Sequence, residues 1–403
     1  DDNPVTVASY GDSDEKPVVE YGGGDVVAFS KCSNLVIRDL EVSSTVGDRP
    51  SDGFGNQSTV LHGIYDTVGN NKYRNIWIVN NTVHSSTDRS QAFGIAVNSI
   101  EDRFSNCPSD VLQNVHIENN TVYNVGRSGI HMHGWLSNEK SGNQNNGLHT
   151  LYRDVHIDNN VVHNVGCIGI YVGCVTGSTM NRNLVYNTGM CPRPKKNGQF
   201  VESEGDCGIM AISVDDCKVM YNVTYNNFDD GSVYDAMGID IDWNSKNCVV
   251  QYNHTYDCDG GGIGTMANLD GAILNNRIEN NRTNTNQPGQ ISVSDFTSRY
   301  DAVDPSMHVV KNLRVEENLI VAAPNTRSKY MFSARDAKGD SDNWSGNVFS
   351  GNHLVYTADD ADLYWIGVTG VSWYKFADNR FYAADTSSFR AIDGTPESNI
   401  NIA

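Results

Sequence analysis

A single phrase, with asparagine at a fixed place in it, returns along the whole chain and limits what it can fold into. Val115-His116-Ile117-Glu118-Asn119-Asn120-Thr121-Val122-Tyr123 is matched by Val155-His156-Ile157-Asp158-Asn159-Asn160-Val161-Val162-His163. More worn copies surround Asn81, Asn183, Asn222, Asn253, Asn276, Asn318, Asn352 and Asn379, with successive spacings of 39, 40, 23, 39, 31, 23, 42, 34 and 27 residues. Self-similarity at ~20–50 residues marks a solenoid, a propeller or an array. The apolar residues alternate with period two, so the repeating units are strands. The 23-residue units are too short for a four-stranded propeller blade and suit one coil of a parallel β-helix. Coils stack ~4.8 Å apart, so an Asn on one coil can bond its copies above and below. The predicted fold class is therefore all-β: a single-domain right-handed parallel β-helix with an internal asparagine ladder.

A second phrase follows most copies: Gly94-Ile95, Gly129-Ile130, Gly169-Ile170, Gly208-Ile209, Gly238-Ile239 and Gly262-Ile263. Residues 1–31 read as an N-terminal capping segment ahead of a β-helix over 32–403. Long loops at Gly134–His149 and Cys191–Glu204 are expected to wall one side of it, the side that repeat folds use for binding.

Composition narrows the partners. A net charge of −20 on 403 residues argues against nucleic acid and anionic membranes, which need neutralising Lys and Arg. There is no apolar run of membrane-spanning length. The opening Asp1-Asp2-Asn3-Pro4 carries no basic or apolar leader, as in a trimmed, secreted (extracellular or periplasmic) protein. None of the nine cysteines forms a CxxC pair, which disfavours a zinc knuckle. Cys217 and Cys248 fall at one repeat position on adjacent coils and could be disulfide-bonded or simply stacked.

In each Gly-Ile strand the Ile points inward, and the residues two and four after the Gly point outward on one face. The outward column runs through His131 and His133, Tyr171, Met210, then Asp240 and Asp242. Three coil steps, ~14 Å, separate the His coil from the Asp coil. Asp240 and Asp242 have α-carbons ~6.7 Å apart, compatible with the paired carboxylates of retaining or inverting glycosidases. Trp243 offers a plate for a sugar ring. Further acids gather nearby: Glu202, Glu204 and Asp206 before one strand, and Asp215-Asp216 after it. Crowded carboxylates raise one another's pKa, which keeps a general acid protonated. The bland alternatives are solvated acids in turns, a Ca²⁺ site on the same carboxylates, and a metal pair at His131 and His133 that lacks an evident third ligand.

The repeat phrases resemble the pectate-lyase-like superfamily of secreted right-handed parallel β-helix proteins, across nearly the whole chain. Gly238-Ile239-Asp240-Ile241-Asp242-Trp243-Asn244-Ser245-Lys246-Asn247, continuing to Gly260-Gly261-Gly262-Ile263, is similar to bacterial extracellular β-helix proteins associated with polysaccharide breakdown. Asp215-Asp216-Cys217 resembles the Asp-Asp pair of polygalacturonase-type hydrolases. Their Asn-Thr-Asp, Gly-His-Gly and Arg-Ile-Lys partners are absent here, so that mechanism is not carried over.

The expected function is a secreted, polysaccharide-degrading glycoside hydrolase without a required cofactor. Asp240 and Asp242 are the expected acid and base or nucleophile, with Asp215 or Asp206 as substitutes. His131, His133, Tyr171, Trp243 and Glu204 are the expected sugar-binding residues. The alternatives are a Ca²⁺-dependent uronate lyase with Lys218, Lys246 or His131 as base, and a non-catalytic glycan-binding solenoid. The expected partner is a poly- or oligosaccharide.

Overall fold

The computed structural model describes residues 3–11, 13, 15–47, 58–65, 71–88, 90, 92–99, 110–134, 151–191, 195–196, 199–200, 206–229, 235–283, 289–295, 309–322, 330–335, 341–357, 364–368, 371–383 and 400–402. Its strands stack in parallel, coil on coil, into two long ladders. In one coil, Tyr152–Asp158 is followed by Val161–Val165 and then by Ile170–Asn181. The last of these serves two faces: its first half pairs with Ile130–Gly134 and its second with Tyr152–Asp158. Between the halves Cys174 takes a left-handed conformation, φ 63°, and turns the chain. Three faces thus enclose a thin core of Val, Ile and Leu. Ile95, Ile130, Ile170, Ile209, Ile239 and Ile263 form one fully buried inward row.

The asparagine phrase works as predicted. Every one of the ten Asn residues is at most 2% exposed. Asn160 is representative: its backbone N–H and its Nδ2 both donate to Asn183 Oδ1, at 2.9 and 3.1 Å. Its Nδ2 also donates to Ile117 O on the preceding coil, at 2.8 Å. The pattern repeats without a break from Asn81 to Asn379. The residue before each ladder Asn holds φ near 55–60° in most coils, Asn119 and Asn159 among them. Asparagine adopts that left-handed conformation more readily than most residues, hence the doubled Asn of the phrase.

Residues early in the chain lie in the same ladders. Val5–Ala8, Val18–Tyr21 and Val27–Ser30 pair in parallel with Leu35–Arg38, Glu41–Ser44 and Ser58–Tyr65. Val5, Val18 and Tyr21 are more than half exposed. On the face that contains Val161–Val165, His84, Tyr123, His163, Tyr186, Tyr225 and Tyr256 stack ring on ring, with centroids 4.8–5.3 Å apart and planes within 9°. Their faces point along the axis and contact one another, so this column stabilises stacking. Cys217 and Cys248 lie side by side as buried free thiols, the stacked alternative of the two expected.

Candidate active site

Register places the outward column where the strand period predicted it. His62, Ala96, His131, Tyr171, Met210, Asp240 and Gly264 are successive partners across adjacent coils. Although they point away from the main core, most of these side chains are covered. His131 and Asp240 are each 3% exposed and Met210 is 4% exposed. The cause is a small second core outside the main one. Ile168, Cys207 and Met237, each one residue before a column Gly, pack with Met210 and Tyr171 over this face.

Asp240 therefore lies in a largely apolar recess. Met210 is its partner on one side and Gly264 on the other. A Cβ on Gly264 would collide with Met237 and come within 3.1 Å of Asp240 Oδ1. The missing side chain at Gly264 is what makes room for the carboxyl. Asp242 continues the strand, donating its N–H to Ala211 O at 2.7 Å. The register then changes: Ala211 pairs Ile241, but Asp215 pairs Lys246, one residue further on than that spacing implies. One extra residue is thus inserted around Trp243, a β-bulge of the kind that re-aims side chains beside functional sites. Asp242 Oδ1 accepts the N–H of Trp243 at 2.7 Å, and Asn244 turns the chain with φ 62°.

Both carboxyls hold their protons far above the ordinary range. Burial is the largest cause for Asp240, followed by the charges of Asp242 and Asp235. Asp242 is raised to about 7 by burial and then by Asp235, with the Trp243 N–H pulling the other way. The charge of Asp242 helps to hold the proton on Asp240. Asp242 is only partly buried by area, so it lies at the open end of the recess and Asp240 at the closed end. Asp235 is the contributor that sequence reasoning missed. It and Ala236 both adopt left-handed conformations, φ 56° and 59°, costing roughly 1–2 kcal/mol each in a non-glycine residue. Such local strain collects at functional sites.

The other expected residues divide. Asp206 is fully buried near Gly189, its backbone O accepting from Thr188 Oγ1 at 2.8 Å. Asp215 is ion-paired to Lys246 at 3.1 Å and accepts from Asn247 Nδ2 at 2.8 Å. Neither contributes to the shifts of Asp240 and Asp242. Lys218 faces Asp216 at 3.7 Å. Glu202, Glu204 and most of the two long loops lie outside the described residues. Trp243 is partly buried and packs against the main core.

His131, His133 and Tyr171 come together as predicted. Tyr171 stacks on His133 at 5.0 Å and meets His131 edge-on at 4.9 Å. Gly173 leaves the space that the His133 ring occupies. Burial lowers His133 to about 4, although part of its surface reaches solvent at the mouth of the recess. His131 is lowered well below the usual imidazole range by burial, then by His133, Arg127 and His62. Both rings are neutral at pH 7. No three His, Cys, Asp or Glu side chains converge as a metal-ligand set among the described residues.

Comparison with known proteins bears on the fold. The family model described as "Right handed beta helix region" matches residues 136–303. The chain is a right-handed parallel β-helix. The native GH136 lacto-N-biosidase from Eubacterium ramulus aligns with a TM-score of 0.60 at 15% identity, over 94% of this chain and 58% of that one. The mannuronan C-5 epimerase A-module from Azotobacter vinelandii aligns with a TM-score of 0.54 at 14% identity, over 94% of this chain and 92% of that one. The DFA-IIIase from Arthrobacter chlorophenolicus A6 aligns with a TM-score of 0.50 at 12% identity, over 96% and 87%. This chain thus spans little more than half the length of the lacto-N-biosidase. No curated protein matches the sequence significantly.

Proposed function

We propose that this protein is a secreted, polysaccharide-degrading glycoside hydrolase in which Asp240 is the general acid and Asp242 the base or nucleophile. The observation that carries the reading is a pair of neighbouring carboxyls in unequal surroundings, Asp240 buried in an apolar recess and Asp242 partly exposed beside the bulge. A glycosidase needs one carboxyl protonated and one ionised, and unequal environments separate such a pair. Here burial raises Asp242 to about 7 and holds Asp240 well above the usual carboxylate range. His131, His133 and Tyr171 then bind sugar further along the groove. Trp243 serves through the bulge it forms, which sets the direction of Asp242. The named activities of the structural relatives, among them a lacto-N-biosidase and a mannuronan epimerase, support a glycan as the substrate class.

The rival reading, a Ca²⁺-dependent lyase, is less well supported. Protonated acids are poor calcium ligands, and the lysines expected as bases are held by Asp215 and Asp216. Screening reducing-end release against a polysaccharide panel, while following the absorbance of unsaturated uronates, separates the two. Hydrolysis without unsaturated products is expected, and activity should survive EDTA largely intact. Complete, calcium-reversible loss together with unsaturated products would replace the hydrolase by the lyase.

A further inference from the structure

At one corner of the helix, successive coils abandon a preference that the others keep. The residue before each of the ten ladder asparagines is left-handed, with φ between 52° and 64°. Asn80, Asn119, Asn159, Asn275, Gly351 and Asp378 are residue types that take this conformation readily. Arg182, Tyr221 and Tyr252 depart from it on three coils in a row, at 55°, 60° and 59°. Backbone bonds fix the row: the Arg182 N–H donates to Met220 O and the Tyr221 N–H to Gln251 O. A bulky aromatic in this region is an outlier, so both tyrosines cost stability where Asn serves elsewhere.

The same two tyrosines are open to solvent. Tyr221 is 49% and Tyr252 46% exposed, and beyond residue 21 no other large hydrophobic side chain is so exposed among the described residues. Their rings stack at 5.1 Å with planes 20° apart, and the Arg182 guanidinium lies 5.4 Å over the Tyr221 ring. A column kept for stability looks different. The row from His84 to Tyr256 spans six coils with planes within 9°, and its rings are partly buried. The corner pair has two members, a larger tilt and strained backbone. Such strain is retained where function repays it.

Size and chemistry select the occupant. Two half-exposed tyrosines present on the order of 200 Å², far below the ~800 Å² that each partner brings to a stable protein interface. A second copy of the chain is thus the wrong partner. A sugar ring fits: its C–H groups lie against an aromatic ring, and its hydroxyls meet donors and acceptors at the rim. Tyrosine hydroxyls and the Arg182 guanidinium supply these, as do the amides beside Tyr252, where Gln251 Nε2 donates to Asn275 Oδ1 at 3.1 Å.

We propose that Arg182, Tyr221 and Tyr252 form a surface site that holds a glycan chain without taking part in its cleavage. Tyr252 belongs to the coil of Asp240 but lies beyond the turn at Asn244 and the strand Val249–Gln251, on a different side of the helix. The site goes beyond the hydrolase reading, since it binds whether or not the acids cleave.

Native affinity electrophoresis of the Asp240→Asn protein through gels containing xylan, glucomannan, laminarin, hydroxyethylcellulose or polygalacturonate tests it. At least one polysaccharide should retard the protein. Adding Tyr221→Asn with Tyr252→Asn, which restores the residue of the neighbouring coils, should weaken retardation at least ~10-fold while melting no lower than the parent. Tyr252→Asn alone leaves the Arg182–Tyr221 contact in place and should weaken it several-fold, which keeps the test decisive if the double variant misfolds. Absence of retardation by every polysaccharide, parent-like retardation of the Tyr variants, or a lower melting temperature in both variants overturns the site. If wild type cleaves a polysaccharide that the Tyr variants bind like the parent, the surface site falls and the hydrolase stands. If retardation depends on the tyrosines but wild type never cleaves, the hydrolase falls and the surface site stands.

Discussion

Two columns of buried polar residues run along this solenoid, and they are built on opposite rules. In the asparagine ladder every amide is matched: each Oδ1 accepts from the coil before, and each Nδ2 donates to the coils on either side. In the column from His62 to Asp240 the matching is broken: His62 Nε2 and both ring nitrogens of His131 are buried without a hydrogen bond among the described residues, although His62 Nδ1 meets Asp25. Asp240 is pressed between Met210, Met237 and Gly264. The same coil spacing serves both. A matched column is worth stability in the folded state, whereas an unmatched one costs stability and is retained where a ligand or a reaction supplies the missing partner.

The largest expected consequence lies in the acid column. Asp240→Asn and Asp242→Asn each keep size while removing the transferable proton, so each should cut turnover at least ~100-fold. Asp257→Asn is the control: Asp257 is exposed and left-handed, φ 55°, a conformation that Asn accepts. Rates of reducing-end release check all three, and normal turnover in both acid variants would erase the functional half of the contrast.

Next in size is the ladder. Asn160→Ala leaves Asn120 without its Oδ1 acceptor and Ile117 O without its donor. Chemical denaturation should show a loss of ~1–3 kcal/mol with the midpoint shifted. A neutral outcome would mean that the ladder is decoration.

The acid variants should move stability the other way, and this sharpens the comparison most. A carboxyl whose folded pKa is raised binds more protons folded than unfolded between pH ~4 and its folded pKa, so stability falls as pH rises through that window. For Asp242 the window runs from its unfolded value of 3.8 to about 7. Asp242→Asn removes the penalty and should raise stability by roughly 1–2 kcal/mol at pH 8, after allowance for its partial exposure, with little gain at pH 4. Melting temperatures at the two pH values decide it; a loss at pH 8 would place Asp242 among the stabilising residues.

Much of this was legible in the sequence because a coil stack converts spacing directly into position. The ladder needed only the recurrence of Asn, and the column register needed only Gly-Ile and period two. The burial of the column was readable but overlooked: Ile168, Cys207 and Met237 recur one residue before the Gly, where an apolar row has no reason to be unless it packs outside. The bulge also left a trace. Nine residues separate Gly208 from Cys217 and Gly262 from Gly271, but ten separate Gly238 from Cys248. Asp235 and the Asp25–His62 pair left none, since they depend on how left-handed residues and remote turns bring side chains together. Asp215 misled because its ion pair with Lys246 crosses coils 31 residues apart in register, which no local pattern announces.

The contrast turns on whether the Asp240–Asp242 pair holds its protons, and carboxyl-carbon NMR of the Asp-labelled protein reads this directly. Spectra followed from pH 3 to pH 10, with the two signals assigned from Asp240→Asn and Asp242→Asn, give both titrations. The expected result is Asp242 ionising near pH 7 and Asp240 later still, with the Asp240 midpoint falling when Asp242 is Asn. Two midpoints near the ordinary value of 3.8 would contradict it, leaving a pair of solvated acids on the outside of a β-helix.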